Sequence, residues 1–229
     1  MQKLKINLYL QSLRTLKSLK SLKTLRSLKS LATINNSINN YSLKSSIVMG
    51  DEKLIRHSGN YRKLLSYQKA EVIYEMTYYF CHKYLSGKDR TIDQMVQAAR
   101  SGKQNIIEGC AASATSAKTE IKLINVAKAS LQELLEDYMD YLRTRGHSQW
   151  EEGSPQWAAM RALGKEHNDA DYFMQLCATR PPETIANMAI ILIHQADYLL
   201  FRQLERLEQD FLNNGGFAEK MSRMRKDNR

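Results

Sequence analysis

Apolar residues recur at intervals of three and four in four separate stretches of this chain. This spacing places them on one face of an α-helix, which turns once in about 3.6 residues. It predicts long amphipathic helices over residues 66–86, 91–110, 116–144 and 181–213. The third has the longest uninterrupted apolar stripe, formed by Ile121, Ile124, Leu131, Leu135, Tyr138 and Leu142.

Polar residues and glycines predict how these helices begin, end and approach one another. Thr91 with Gln94 matches a capping box, in which the two side chains bind free backbone N–H groups at a helix start. Gly87 follows the first helix and is expected in the left-handed conformation that ends many helices. Within the second helix, we expect Gly102 to allow a neighbouring helix to approach closely and Gly109 to help end the helix.

The links between the first three helices are short, which favours an all-α fold, an antiparallel up-down-up-down four-helix bundle over residues 49–216. Residues 146–180 interrupt the apolar pattern with glycines and a proline and contain both tryptophans, Trp150 and Trp157. We interpret them as a short helical insertion between the third and fourth helices, packed on one end of the bundle. Residues 217–229 are expected to form a charged, frayed tail.

The first 48 residues differ from the rest in composition. They contain nine Lys/Arg and no Asp or Glu, and within 13–31 a leucine recurs at every third position. Such a row drifts around a helix, so it forms no stable stripe. Three interpretations stay open: a basic arm for RNA or acidic lipid, a transit-like presequence, or translated repeat DNA ahead of a start at Met49. We favour the last and treat 1–48 as a disordered or non-native leader.

Charge is concentrated in that leader. The whole chain carries a formal net charge of +10, whereas residues 49–229 hold 25 basic and 24 acidic side chains. The high isoelectric point therefore describes the leader rather than the predicted bundle. Basic residues on the second helix and at the end of the third are nonetheless candidate phosphate contacts, with a solvated helix face as the alternative: Arg90, Arg100, Lys103, Arg143 and Arg145.

No recognisable catalytic or metal motif appears in the sequence. A di-metal bundle needs Glu-x-x-His pairs, which are absent, and no glycine-rich phosphate loop is present. The three cysteines show no CxxC spacing and are odd in number, which favours a reducing compartment over a disulfide framework. No apolar run reaches the roughly 18 residues of a membrane span. We therefore expect no enzyme activity, no metal or other cofactor, and no membrane partner.

A group of polar residues on the second and third predicted helices is more specific. Asn105 and Glu108 share a helix face, and in an antiparallel hairpin they approach Glu120 at the start of the next helix. We interpret them as an inter-helix polar network that fixes the register of the hairpin, since a buried carboxylate needs a partner. Direct ligand binding is the alternative.

At these positions the chain resembles the four-helix-bundle family of proteins encoded in 23S rRNA intervening sequences. The resemblance is carried by residues 105–109, NIIEG, then by Glu120 and the small-residue segment 127–134. It covers roughly 66–213 apart from the insertion, and the longer chain resembles the subgroup with a C-terminal suffix. The related accessory variability determinant of diversity-generating retroelements has a similar bundle and acts with a reverse transcriptase and nucleic acid through a basic surface.

The resemblance implies a cytoplasmic bacterial protein that forms a homo-oligomer, plausibly a pentamer, without enzyme activity. The run Ile190–Ile193, apolar on all sides, predicts either burial on several sides or a contact between subunits. We therefore expect a homo-oligomeric binding protein whose partner is RNA or a ribonucleoprotein. The alternative is a structural or protein-interaction bundle, with a reverse transcriptase or another nucleic-acid-processing protein as its partner and no nucleic-acid binding of its own.

Overall fold

The structure is a computed structural model that describes residues 59–227. Residues 1–58, including the leader at 1–48, and residues 228–229 lie outside the described range. Within that range no strand occurs, so the predicted all-α class is confirmed. After a 3-10 turn at Tyr61–Lys63, the helices are α1 (Leu65–Tyr84), α2 (Thr91–Ala112), α3 (Ala117–Thr144), α4 (Pro155–Glu166), α5 (Ala170–Ala178), α6 (Pro182–Asn214) and α7 (Phe217–Asp227).

The four long helices, α1, α2, α3 and α6, each begin and end within two residues of the predicted bounds. Both α1 and α3 pack against α2 and against α6, so the apolar stripes of all four meet in one core. This packing, rather than helix propensity, is what stabilises helices of this length in water. Almost completely buried residues from the four helices include Ile73, Phe80, Met95, Ile106, Ile124, Tyr138, Ile185 and Leu192.

The insertion lies along the side of the long helices and not on one end, so that part of the prediction was wrong. Its helix α4 packs against α6, and α5 packs against α1. Near the start of α1, the ammonium group of Lys69 donates hydrogen bonds to the backbone carbonyls of Gly164 and His167. At the other end of α1, the hydroxyl of Tyr84 donates to the carbonyl of Arg180 at 3.2 Å. The insertion therefore follows α1 over most of its length.

The apolar run Ile190–Ile193 is at most 4% exposed within the single chain. Helix α6 packs against α1, α3 and the insertion helix α4, which accounts for burial on several sides. A window within Pro182–Asp227 is long and apolar enough to cross a membrane by composition, but 61% of it is buried inside the protein. A buried core helix passes the same test, so this window is weak support for a membrane span.

The C-terminal segment is helical over Phe217–Asp227, whereas a frayed tail was predicted. Two local contacts explain the helix. The carboxylate of Glu219 accepts from the backbone N–H of Gly216 at 3.0 Å, which caps the start of α7. The guanidinium of Arg223 donates to the carbonyl of Asn214 at 3.0 Å, which joins α7 to the end of α6. The half-buried face of α7 carries apolar residues at helical spacing: Phe217, Met221 and Met224.

The predicted capping box at Thr91 was wrong, because the chain places the cap two residues earlier. The carboxylate of Asp89 accepts a hydrogen bond from the backbone N–H of Thr91 at 3.0 Å. That hydrogen bond is the main reason why the pKa of Asp89 lies below its usual value. The third helix begins one residue after its predicted start, and its cap is Ser116, which accepts from the backbone N–H of Thr119.

Three predicted glycine roles had different outcomes. Gly87 has no positive φ, so its predicted left-handed conformation was wrong. Gly102 does allow close approach, because a Cβ there would lie 2.8 Å from the side chain of Leu131 on α3. Gly109 lies inside α2 and does not end it; a Cβ there would lie 3.2 Å from the side chain of Ile124. Both α2 glycines therefore serve the packing of α2 against α3.

Replacing Gly102 with alanine is expected to destabilise the protein by up to about 2 kcal/mol. The gain in helix propensity, about 1 kcal/mol, is smaller than the cost of overpacking a core that holds Leu131, about 1–3 kcal/mol. Gly87→Ala is the matched control, since nothing lies within 4 Å of a Cβ there. Urea unfolding of the two variants measures the difference, and equal stabilities would contradict the close approach of α3 at Gly102.

Candidate functional site

The hydrogen bond that joins α2 to α3 near the predicted polar network is made by two serines. Ser130 Oγ and Ser101 Oγ lie 3.0 Å apart across the two helices. Asn105 attaches to this pair from its own helix, with its Nδ2 donating to the backbone carbonyl of Ser101 at 2.8 Å. Glu108 is exposed and takes no part in the serine bond, and Glu120 is half-buried. The register of the hairpin is thus fixed by small hydroxyl side chains as well as by packing.

The cysteine thiols are buried and have raised pKa values. Burial raises the pKa of Cys81 to about 12 and that of Cys177 to about 11. Both thiols are therefore protonated near neutral pH, and the thiolate is the reactive form. Within residues 59–227, no group of histidine, cysteine, aspartate and glutamate side chains is arranged to hold a metal ion.

The structure brings together two of the predicted regions of positive charge. Arg90 stands at the start of α2, and Arg143 and Arg145 stand at the end of α3; all are exposed. Arg145 is close enough to Asp89, next to Arg90, to contribute to the lowered pKa of that carboxyl group. These cations therefore lie at the same end of the long helices.

The other two predicted cations lie farther along α2. Arg100 is exposed, and the ammonium of Lys103 lies 4.1 Å from the ring centre of Tyr74 on α1. At about 1.5 Å per residue, Arg100 is about 15 Å along the helix axis from Arg90. Arg100 and Lys103 therefore do not belong to the cluster at the end of the helices.

Tyr141 marks the point where three parts of the chain meet at this end. The guanidinium of Arg145 lies 4.3 Å from the ring centre of Tyr141. Burial raises the pKa of Tyr141, Arg145 opposes that shift, and Glu183 and Tyr84 add to it. The ends of α1 and α3 therefore lie beside the start of α6, which Arg180 precedes. We call the exposed cations here the basic end: Lys83, Lys88, Arg90, Arg143, Arg145 and Arg180.

Carboxylates also lie among these cations. Arg143 pairs with Asp140 at 2.7 Å, and both side chains are more than 60% exposed. Exposed pairs of this kind contribute about 0–1 kcal/mol, so a phosphate can replace the carboxylate at little cost. The pKa of Lys83 is raised, mainly by its hydrogen bond with the Tyr79 hydroxyl, which favours the cationic form. The arrangement is chemically suited to holding anionic oxygens.

Three members of the basic end were not among the predicted phosphate contacts: Lys83, Lys88 and Arg180. The hairpin topology contained a signal for the first two, because the link between α1 and α2 must lie beside the end of α3 in an antiparallel arrangement. Arg180 carried no such signal. Its position depends on the path of the insertion along α1, which the apolar pattern does not specify.

Comparison of the chain with known protein families, with curated proteins and with solved structures found no match. The resemblance to the intervening-sequence proteins, carried by residues 105–109 and 127–134, therefore stays a prediction.

Proposed function

We propose that this chain is a non-enzymatic, cytoplasmic four-helix-bundle protein that assembles with copies of itself and binds RNA or a ribonucleoprotein. The RNA-binding part of the proposal is supported by one observation. Cations from α1, α3, the α1–α2 link and residue 180 cluster at the basic end. A cluster of exposed cations at one end of a near-neutral domain raises the positive potential there. The proposal includes kinship with the intervening-sequence proteins, and the subunit number of five follows from that kinship alone.

Contacts between the long helices support an up-down-up-down topology. Along α2, Gly102 faces Leu131 and Gly109 faces Ile124, so residue numbers rise on one helix as they fall on the other. This is the order expected for antiparallel neighbours. The links that join α1 to α2 and α2 to α3 are short, as neighbouring antiparallel helices require.

The last long helix fits the same arrangement. Ser66 near the start of α1 donates to the amide oxygen of Gln203, which lies late in α6, at 2.9 Å. The end of α1 instead lies by the start of α6, so these two helices also run in opposite directions. Between α1 and α3 the order is parallel, as expected for diagonal helices, with Thr77 bonded to Tyr138 and Phe80 beside Tyr141.

Self-assembly is supported by large apolar side chains that the single chain leaves exposed. Near the end of α6, Leu212 is 81% exposed and its neighbour Phe211 is 37% exposed. Aromatic residues of this kind are enriched in subunit interfaces. We assign this surface to a second copy of the chain. The same observation favours the second candidate function, a protein-interaction bundle without nucleic-acid binding.

RNA binding through the basic end predicts a steep dependence on salt. Each phosphate contact to single-stranded RNA contributes about 0.7 to the slope of log affinity against log salt concentration. The full chain with Arg90→Gln and Arg145→Gln is therefore expected to bind a labelled single-stranded RNA with a slope reduced by about 1.4. Fluorescence anisotropy at several salt concentrations measures this slope.

The matched control is Lys118→Gln with Lys122→Gln, which removes the same charge from exposed positions at the start of α3, the other end of that helix. Its slope is expected to equal that of the unchanged chain. Residues 1–48 are identical in all three proteins, so their own contribution cancels in the comparison. Equal slopes for both double variants would contradict RNA binding at the basic end, and affinity that survives high salt would favour the protein-interaction alternative.

A further inference from the structure

A cleft of about 760 Å³ lies between the insertion, the start of α1 and the first half of α6. Small-molecule sites in proteins commonly enclose about 300–1,000 Å³. No residue of the basic end lines this cleft. Its walls combine aromatic, cationic and amide side chains with aliphatic side chains of α1 and α6 such as Leu65 and Ile190.

One part of the lining is aromatic, and a hydrogen bond to α6 fixes the segment that carries one of its rings. Trp150 and Trp157, the two tryptophans of the chain, both line the cleft and are half-buried. The backbone N–H of Trp150 donates to the amide oxygen of Asn187 on α6 at 2.7 Å, which fixes the segment that carries this indole. The guanidinium of Arg161 lies 4.8 Å from the ring centre of Trp157. Indole rings and guanidinium planes are the groups on which proteins stack nucleobases.

The lining is also positively charged. Arg161 and Lys165 are exposed and lie four residues apart on α4, so they share one face. Lys69 adds a third cation deeper in the cleft. Glu152 supplies the single carboxylate among the lining residues. Because the Lys69 ammonium already donates to two carbonyl groups of the insertion, the donors left for a ligand are those of Arg161 and Lys165.

We propose that this cleft binds a nucleotide, with the base against the tryptophan wall and the phosphate at Arg161 and Lys165. The amide side chains of Gln149 and Asn168 line the same space and can donate to and accept from a base edge. The ligand is either a free nucleotide or one residue of a single-stranded RNA, which present the same chemistry. The site is separate from the basic end, so its failure leaves RNA binding at the basic end untouched.

Because two tryptophans line the cleft, ligand binding can be followed by intrinsic tryptophan fluorescence. Indole fluorescence of the full chain, excited at the red edge of the band where adenine does not absorb, is followed during titration with AMP. We expect a saturable change with AMP, a weaker response to adenosine, and none to inorganic phosphate. Arg161→Gln is expected to weaken AMP binding about tenfold or more, the loss of one charge-assisted hydrogen bond. Arg206→Gln, an exposed arginine on α6 outside the cleft, is expected to leave it unchanged.

A second series of titrations distinguishes a free nucleotide from a nucleotide within single-stranded RNA. If a short oligoadenylate binds more tightly than AMP and loses that affinity in Arg161→Gln, the ligand of the cleft is RNA. If AMP binds more tightly than the oligoadenylate, the ligand is the free nucleotide. Lys165→Gln repeats the test if Arg161→Gln has an altered circular dichroism spectrum. The proposal is overturned if neither AMP nor the oligonucleotide changes the fluorescence, if phosphate alone reproduces the change, or if the cleft variants bind AMP as tightly as the control.

Discussion

Replacing Phe80 with alanine is expected to lower the free energy of unfolding by about 3–5 kcal/mol. Phe80 on α1 is completely buried. Its ring centre lies 5.2 Å from that of Tyr138 and 4.8 Å from that of Tyr141, both on α3. Truncation removes these ring contacts and leaves a cavity between two helices that are distant in sequence. Urea unfolding followed by circular dichroism measures the loss.

Phe201→Ala is the matched control for this prediction, because it deletes the same atoms from a side chain that is 46% exposed. A change within about 0.5 kcal/mol is expected for the monomeric chain, as for most surface substitutions. Comparable losses for Phe80→Ala and Phe201→Ala would mean that the core does not lie where α1 meets α3.

Replacing Lys69 with methionine is expected to destabilise the protein by about 2 kcal/mol at pH 8, because the carbonyls of Gly164 and His167 lose their donor. Lys69 is 1% exposed. Those carbonyls belong to the last turn and the C-terminal cap of α4, where a cation also complements the helix dipole. The variant therefore tests whether one buried lysine anchors the insertion to α1.

The effect of Lys69→Met is expected to depend on pH in a defined direction. Burial lowers the pKa of Lys69 from 10.5 to about 8. Between these values the unfolded chain binds the proton and the folded chain does not, so the stability of the unchanged protein rises with pH through this window. The destabilisation caused by Lys69→Met therefore grows from pH 8 toward pH 10.5. Lys88→Met, at an exposed position, is expected to show no such growth, and a pH-independent cost for Lys69→Met would contradict the lowered pKa.

The long helices were predictable because their burial is encoded locally. The spacing of Ile73, Phe80, Ile124 and Tyr138 fixes which face of each helix is apolar, and the absence of side-chain volume at Gly102 marks a close approach. These are properties of short windows of sequence, and packing of the long helices agrees with them. The bounds of α1, α2, α3 and α6 follow from the same windows.

The path of the insertion was not predictable in this way. It depends on Lys69, a residue whose charge normally places it on a solvated face. Only the three-dimensional arrangement brings the α4 carbonyls to its ammonium group. The helix α7 carried a signal that was overlooked, since Glu219 follows Gly216 by three residues, the spacing of a capping contact.

The candidate sites were likewise predictable from the sequence only in part. Arg90 and Arg145 were predicted as phosphate contacts, and their proximity follows from an antiparallel hairpin. Arg180 in the basic end and the cleft between α1, α4 and α6 depend on the insertion, so no pattern in the sequence indicated them. The predicted polar group of Asn105, Glu108 and Glu120 stays a prediction, and the hydrogen bond that the structure shows between α2 and α3 joins Ser101 and Ser130.

Native mass spectrometry of the full chain, purified at low salt from its own host, tests the central proposal most directly. It reports the number of subunits and any bound nucleic acid in the same spectrum. We expect an assembly of several copies that carries RNA and loses it when the salt concentration is raised. A single chain without nucleic acid at low salt would contradict the proposal of a homo-oligomeric RNA-binding bundle.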